Sequence, residues 1–379
     1  MAEEKIYDLA IVGGGLAGLS LSILAAQKGY AVILFEKESY PFHKVCGEYI
    51  SLESWNFLES LSLHMNDLKL PIIKKLEVSA PDGNLLKQTL DLGGFGISRF
   101  LLDNKLKEIA DAKGVQIYED CKVEDIIFRD DNFSIQTKKA NFQSKICAGS
   151  FGKRSNIDIK WKRPFTASAK GALQNYVGIK YHVKYPQPID TISLHNFSDG
   201  YCGISNIEDG KCCLCYLTTA SNLKKAGNDI EKMEKEILSV NPHLEEILKQ
   251  SEKLYATPIS ISQISFQQKS LVENHVLMMG DAAGMITPLC GNGMSMAMHG
   301  AKIASCYMND FLQSNITRRE MENAYSNAWK KQFAGRLRTG RMIQRFFGNK
   351  TLTNIFIGTL KFFPAISRWL IKQTHGRPY

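Results

Sequence analysis

The chain has 379 residues, 44% of them hydrophobic and 22% charged, a globular balance that excludes a long disordered, collagen-like or coiled-coil protein. Its formal charge is +9, and the excess is local: after Glu322 come eleven Lys or Arg and no acid, so the first 322 residues sum to −2. At roughly 150 residues per domain, the length allows two to three domain-sized units.

Ile6–Val12 is an apolar run ending in glycines and predicts a buried parallel strand. Leu16–Lys28 predicts a helix stopped by Gly29, and Ala31–Phe35 a second buried strand. The three make one β-α-β unit. Pro81-Asp82-Gly83 predicts a turn between strands near 72–79 and 85–91. Gly93-Gly94-x-Gly96 lacks the strand and helix of a phosphate loop and reads as a hinge or tight turn. Phe100–Lys113 has helical spacing, and short strand-like runs follow to about residue 147. Residues 176–218 alternate apolar and polar, with turn signals at Asp199-Gly200 and Asp209-Gly210, which predicts an antiparallel sheet. Asn228–Gln250 is helical with a break at Pro242. Val276–Met279 is again a buried strand, followed by a glycine-rich loop and a helix near 291–312. The final 60 residues are helical, broken near Gly348 and Pro364.

The β-α-β pieces at both ends, with an antiparallel sheet between them, predict an α/β protein with an interrupted Rossmann-like nucleotide-binding domain. Its segments are 1–75, 98–158 and 270–322. A substrate domain from 76–97 and 159–269 is inserted, and 323–379 forms a basic helical tail.

Gly13-x-Gly15-x-x-Gly18 falls at the first strand-to-helix turn. Gly13 permits the turn, Gly15 lets a pyrophosphate approach the backbone, and Gly18 lets helix pack on strand. The helix N-terminus offers free N–H groups to phosphate. Glu36 ends the second strand and can accept ribose hydroxyls; its carboxylate would repel a 2′-phosphate, which argues against NADP in this site. The dinucleotide is NAD or FAD. Gly280-Asp281-Ala282-Ala283-Gly284 decides for FAD, because Asp281 at a strand end can hold a ribityl hydroxyl. The following Pro288-x-x-Gly291-x-Gly293-Met294 can turn a helix N-terminus toward the flavin pyrimidine edge.

These motifs, with Lys44-Val45-Cys46-Gly47-Glu48 and Arg99-x-x-x-Asp103-x-x-Leu106, span about 320 residues in order. With them the sequence resembles the FAD-dependent p-hydroxybenzoate hydroxylase-like superfamily. Within it the geranylgeranyl reductase family is most similar, and flavin-dependent halogenases are close by. The resemblance implies roles at matching positions. Ala17 and Glu36 contact the pyrophosphate region and adenosine ribose. Cys46 and Gly47 lie beside the flavin, and Arg99 reaches the cofactor from its helix. Val123 meets adenine through its backbone. Asp281, Gly293 and Met294 hold the ribityl chain and ring. Cys46 is the candidate catalytic residue by this placement; an inert buried thiol is the other reading.

Three departures bear on the reaction. Phe151 stands where hydroxylase-type relatives carry the Asp of a Gly-Ala-Asp-Gly segment, which weakens the usual nicotinamide contact. The halogenase Trp-x-Trp-x-Ile-Pro segment is absent, the tryptophans being Trp55, Trp161, Trp329 and Trp369. Of the reductases' substrate motif only Tyr201 survives in Tyr201–Asn206. The expected activity is therefore an FAD-dependent oxidoreductase that reduces or oxygenates an apolar substrate (lipid-like, polyene or aromatic). NAD(P)H would be a transient electron donor, with no domain of its own. Met285, Met294, Met296 and Met298 line an adaptable pocket or are plain core. The alternatives are an NAD-dependent dehydrogenase and a non-catalytic flavin-binding module.

The start, MAEEKIYDLA, lacks the pattern of a secretory signal, and no uncharged apolar stretch reaches the roughly 18 residues of a membrane span. Nine cysteines, an odd number, suit reduced thiols in the cytoplasm. Cys212, Cys213 and Cys215 contain a C-x-x-C spacing, but no second ligand pair follows. A buried strand is preferred there to a metal or redox pair, and no metal is expected. The tail's cations, with Phe346, Phe347, Phe356, Phe362, Phe363 and Trp369, suit three readings. They are a solvated helix face, a peripheral membrane contact, or a contact with an acidic protein such as an acyl carrier. No motif accompanies the charge that would suggest nucleic acid.

Overall fold

The computed structural model describes residues 5–167, 176–264, 266–286, 291–344, 350–374 and 376–379. Pro288, the break near Gly348, and Phe346 and Phe347 lie outside the described residues.

A first sheet has the central order Val272–Glu273, Val276–Met278, Asn141–Gly149, Ile6–Val12, Val32–Phe35, Gln116–Tyr118. Ile6–Val12 is parallel to both neighbours, with Leu9 opposite Val32 and Ile146. Such strands are covered on both faces, which is why they read as unbroken apolar runs. The helix Leu16–Gln27 packs against Gly293–Leu312 and Arg99–Ala112. It is buried on nearly every side, and its sequence is apolar all round rather than striped.

A second sheet runs Glu252–Lys253, Tyr176–Lys184, Cys212–Thr219, Gly200–Asn206, Thr191–Phe197, Ile72–Ser79, Leu85–Gly96, Tyr49–Ser51, and Ile259–Ile264 also pairs with Tyr176–Lys184. Its pairs are antiparallel except Thr191–Phe197 with Ile72–Ser79. Tyr49–Ser51 comes from the loop after the first β-α-β unit, so this sheet reaches back to the nucleotide turn.

Gly93-Gly94-x-Gly96 is neither hinge nor tight turn. It completes the strand Leu85–Gly96, opposite a register shift between Ile73 and Lys75. Gly93 has φ 76, and a side chain there would come within 2.6 Å of the Ile73 carbonyl oxygen. Close backbone approach within a strand, not a hinge or tight turn, explains the glycines.

The described residues after Glu322 pack on the rest of the chain. Tyr325, Trp329, Phe333 and Leu337, on the helix Arg318–Gln344, belong to the main core around the first sheet. The helices Lys350–Phe362 and Pro364–Thr374 pack on Leu85–Gly96. Tyr379 returns to the helix Gly293–Leu312, where its ring stacks on His299 at 3.9 Å and its hydroxyl donates to the Ser295 carbonyl at 3.1 Å.

Candidate functional site

Gly13 has φ 107, and a Cβ there would collide with the Ser150 carbonyl, so only glycine suits the turn. A Cβ on Gly18 would strike the Gly13 carbonyl and come within 2.6 Å of Ser150 Oγ; Gly18 stands behind the turn and sets the helix on the strand. Gly15 is the N-cap of Leu16–Gln27 and supplies no side-chain cap, which leaves first-turn N–H groups available to a phosphate. Around its Cβ position, Arg99 Nη2 and Lys44 Nζ lie 3.7 and 3.8 Å away. Two cations therefore face the glycine turn. Ala17 is buried, and its methyl lies 3.4 Å from the Cβ position of Gly280, so the two glycine motifs meet.

Glu36 is 6% exposed. Its carboxylate accepts the Gly14 N–H at 2.9 Å and the Lys37 N–H at 2.8 Å, which ties the second strand to the turn while the side chain still borders the cavity. The Tyr40 hydroxyl donates to the Gly14 carbonyl. Burial, with Glu36 close by, raises its pKa above the ordinary phenol value.

Arg99 is the first residue of Arg99–Ala112, whose N-cap Ser98 accepts the Leu101 N–H at 3.1 Å. Its guanidinium forks onto Asp103, with both contacts at 2.7 Å, and Lys44 Nζ joins the same carboxylate at 3.1 Å. Burial pushes Asp103 upward, but Arg99 and Lys44 outweigh it and hold the carboxyl below its ordinary range. The pair is a buried fork that fixes the direction of the guanidinium.

The residues that sequence reasoning missed are Lys180 and His182. Glu48, at φ 55, is fully buried. It accepts the Arg99 N–H at 2.8 Å, is paired with Lys180 Nζ, and meets His182 Nε2 at 2.6 Å. Lys180 Nζ also donates to the Lys44 carbonyl at 3.2 Å. The available signal was parity. In Tyr176–Lys184, Val177, Ile179, Tyr181 and Val183 face one core, while Gly178, Lys180 and His182 share the other face. A polar stripe on a strand buried on both faces needs a buried partner.

The same parity settles the cysteines. Cys212 packs in the second core, whereas Cys213 and Cys215, opposite His182 and Lys180, face the Cys46 loop. Cys212 and Cys215 are on opposite faces and cannot act as a pair. Burial raises the Cys215 thiol to about 12. Cys46 lines the cavity and takes part through its carbonyl, which accepts the Cys213 S–H at 3.3 Å. Glu48, His182 and Cys213 bring ligand-type atoms within 4.8 Å of one another. The Lys180 ammonium already pairs with that carboxylate, so the cluster acts as a buried strut beneath the Lys44–Glu48 loop.

One cavity of 1380 Å³ joins these pieces. At one end are Gly13, Gly15, Glu36, Arg99 and the buried Val123, whose carbonyl accepts Asn156 Nδ2 at 3.1 Å. In the middle are Cys46, Gly47, Asp281, Gly293, Met294 and Phe151, with Tyr201 and Met285. Lys269 Nζ clamps this part, donating to the carbonyls of Asp281 and Lys153 at 2.7 Å each. Met285 and Met294 border the cavity, while Met296 and Met298 are core. The far end is apolar, lined by Val78, Leu90, Leu194, Ile357, Leu360 and Leu370. The volume exceeds the ~300–1,000 Å³ common for one ligand. It leaves room beside a dinucleotide, and the lining of that remainder is apolar. For FAD, the turn and its two cations suit the pyrophosphate, Asp281 the ribityl chain, and Gly293 and Met294 the ring.

The sequence pattern of the NAD(P)-binding Rossmann-like domain matches residues 11–45. The chain is 24% identical over 370 residues to conditioned medium factor receptor 1 of Dictyostelium discoideum, covering 87% of this chain and 69% of that protein. It is 24% identical over 357 residues to a digeranylgeranylglycerophospholipid reductase of Methanococcus vannielii, covering 87% and 84%. The solved structure of the flavin-dependent brominase Bmp2 superposes with a TM-score of 0.77 at 18% identity, covering 98% and 93%. The fold is shared with that brominase and with a geranylgeranyl bacteriochlorophyll reductase-like protein of Thermoplasma acidophilum, whose solved structure superposes with a TM-score of 0.75 at 15% identity, covering 99% and 97%. It carries the Rossmann-like core, the second sheet and the terminal helices found above.

Proposed function

We propose that this protein is an FAD-dependent oxidoreductase that reduces double bonds in an elongated apolar substrate. The observation that carries the reading is the continuity of the cavity, from the glycine turn with Lys44 and Arg99 to an apolar chamber between the second sheet and the terminal helices. Bound FAD would supply the hydride chemistry. The chain's own residues do the rest. Gly15 and the helix start bind phosphate, Arg99 orients it from the Asp103 fork, and Met285, Tyr201 and Leu217 keep water from the reacting region. The Cys46 loop is held by Glu48, and no thiol chemistry is needed from it. A similarity to a lipid reductase supports the chain-like substrate. Likeness to a brominase favours oxygen-dependent chemistry on a smaller aromatic as the second reading.

The test is anaerobic reduction of the purified protein with NADH or NADPH, followed by an unsaturated isoprenoid lipid and mass spectrometry. A yellow protein that adds pairs of hydrogens to the lipid is expected. A flavoprotein that transforms an aromatic only when oxygen is admitted would favour the second reading. A colourless protein that binds NAD would overturn both readings in favour of a dehydrogenase, and flavin that no donor reduces would leave a binding module.

A further inference from the structure

We propose that the two terminal helices seat the protein on an anionic lipid surface. Each is two-sided. Lys350–Phe362 buries Thr353, Ile357 and Leu360, and turns Ile355 and Phe362 outward with 61% and 82% exposure. Pro364–Thr374 buries Ser367, whose hydroxyl donates to Gln88 at 2.8 Å, and turns out Ile366 and Trp369. Phe363, at the joint, is 54% exposed. Both helices rest on the same strand, Leu85–Gly96, so their outer faces point away from one sheet. Single exposed apolar residues are ordinary. Here, seven of the fourteen large hydrophobics exposed among the described residues fall between Met342 and Trp369. That concentration marks an interaction face.

The charge selects the partner. Lys350, Lys361, Arg368 and Lys372 are exposed on these two helices, and no acid follows Glu322. Cations flanking outward aromatics and aliphatics are the pattern of a helix lying in the headgroup boundary of an anionic leaflet. An acidic protein would be met by the cations alone and would leave Phe362, Phe363 and Trp369 without a purpose. Among the described residues no helix is long and apolar enough to cross a membrane, so the contact lies on the surface. The inner faces of the same helices close the apolar end of the cavity through Ile357, Leu360 and Leu370. A lipid chain would therefore pass from the leaflet beneath these helices to the reacting region. That last step rests on the oxidoreductase reading; the docking does not.

The experiment is co-sedimentation of the full chain with phosphatidylcholine vesicles, with and without phosphatidylglycerol. Binding roughly tenfold or more tighter to the anionic vesicles is expected, with a blue shift of tryptophan emission that Trp369→Phe removes. Phe362→Ser/Phe363→Ser/Trp369→Ser and Arg368→Glu/Lys372→Glu should each weaken binding about tenfold, with thermal midpoints near wild type. If the triple variant does not fold, Trp369→Ser alone and the emission shift decide. Absence of vesicle binding overturns the proposal. So does wild-type binding by the aromatic variants, or a dimer that these variants abolish in place of vesicle binding. Flavin reduction by NADH or NADPH, measured without vesicles, separates the two readings. Normal reduction without vesicle binding removes the docking surface alone. Vesicle binding by a colourless protein removes the flavin reading alone.

Discussion

Glu48 has no exposed side chain and sits in left-handed backbone, so its charge is tolerated only because Lys180, His182 and the Arg99 N–H surround it. Removing one partner leaves an uncompensated buried charge. Lys180→Met should therefore cost about 3–5 kcal/mol in urea unfolding. Glu48→Gln/Lys180→Met should cost less than the two single changes added, because the lone charge is gone. An additive double variant would show that the pair does not interact as drawn. His195 gives a second, independent prediction. Its ring nitrogen meets Ser79 Oγ at 2.9 Å, and burial, with His243 nearby, lowers its pKa to about 3. The unfolded imidazole titrates near ~6.5. As pH falls below that value the unfolded chain takes the proton first. Stability present above pH ~6.5 is then lost at up to about 1.4 kcal/mol per pH unit until the folded group titrates. His195→Gln should flatten that slope in denaturant melts between pH 6.5 and 4; an unchanged slope would assign the effect to other groups.

At the scale of elements, the first β-α-β unit was legible because its constraints are local. Gly13 answers to a positive φ, and Gly18 to the backbone it touches. Gly18→Val should lift the helix off the strand and reduce retained flavin at least tenfold, measured by absorbance after gel filtration. Retention at the wild-type level would remove the turn from the cofactor site. The strand Tyr176–Lys184 shows the opposite case. Its alternation declares two faces, but not that Lys180 finds Glu48 across 132 positions of sequence. The Gly93–Gly96 reading failed for a related reason. Glycines at a close backbone approach and glycines at a hinge or tight turn are alike in composition, and only the opposing strand tells them apart.

For the whole molecule, the cavity is a product of three separate regions. The first sheet and its helices provide the glycine turn, the second sheet provides the walls, and the terminal helices provide the roof. Leu194→Trp, at the apolar end, should raise KM for a long isoprenoid substrate about tenfold while leaving flavin content and reduction by the nicotinamide donor near wild type. An unchanged KM would place the substrate elsewhere. By itself the sequence determined the glycine-rich strand-to-helix turn, the buried strands, the two-faced sheet and the charge asymmetry, since each depends on neighbours within a few residues or on period. Only the tertiary structure decided that Glu48, Lys180 and His182 form one buried strut. It also decided that the basic end of the chain is half core and half roof. Periodicity states which side of an element is buried; the partner across the interface is chosen by packing between segments far apart in the chain.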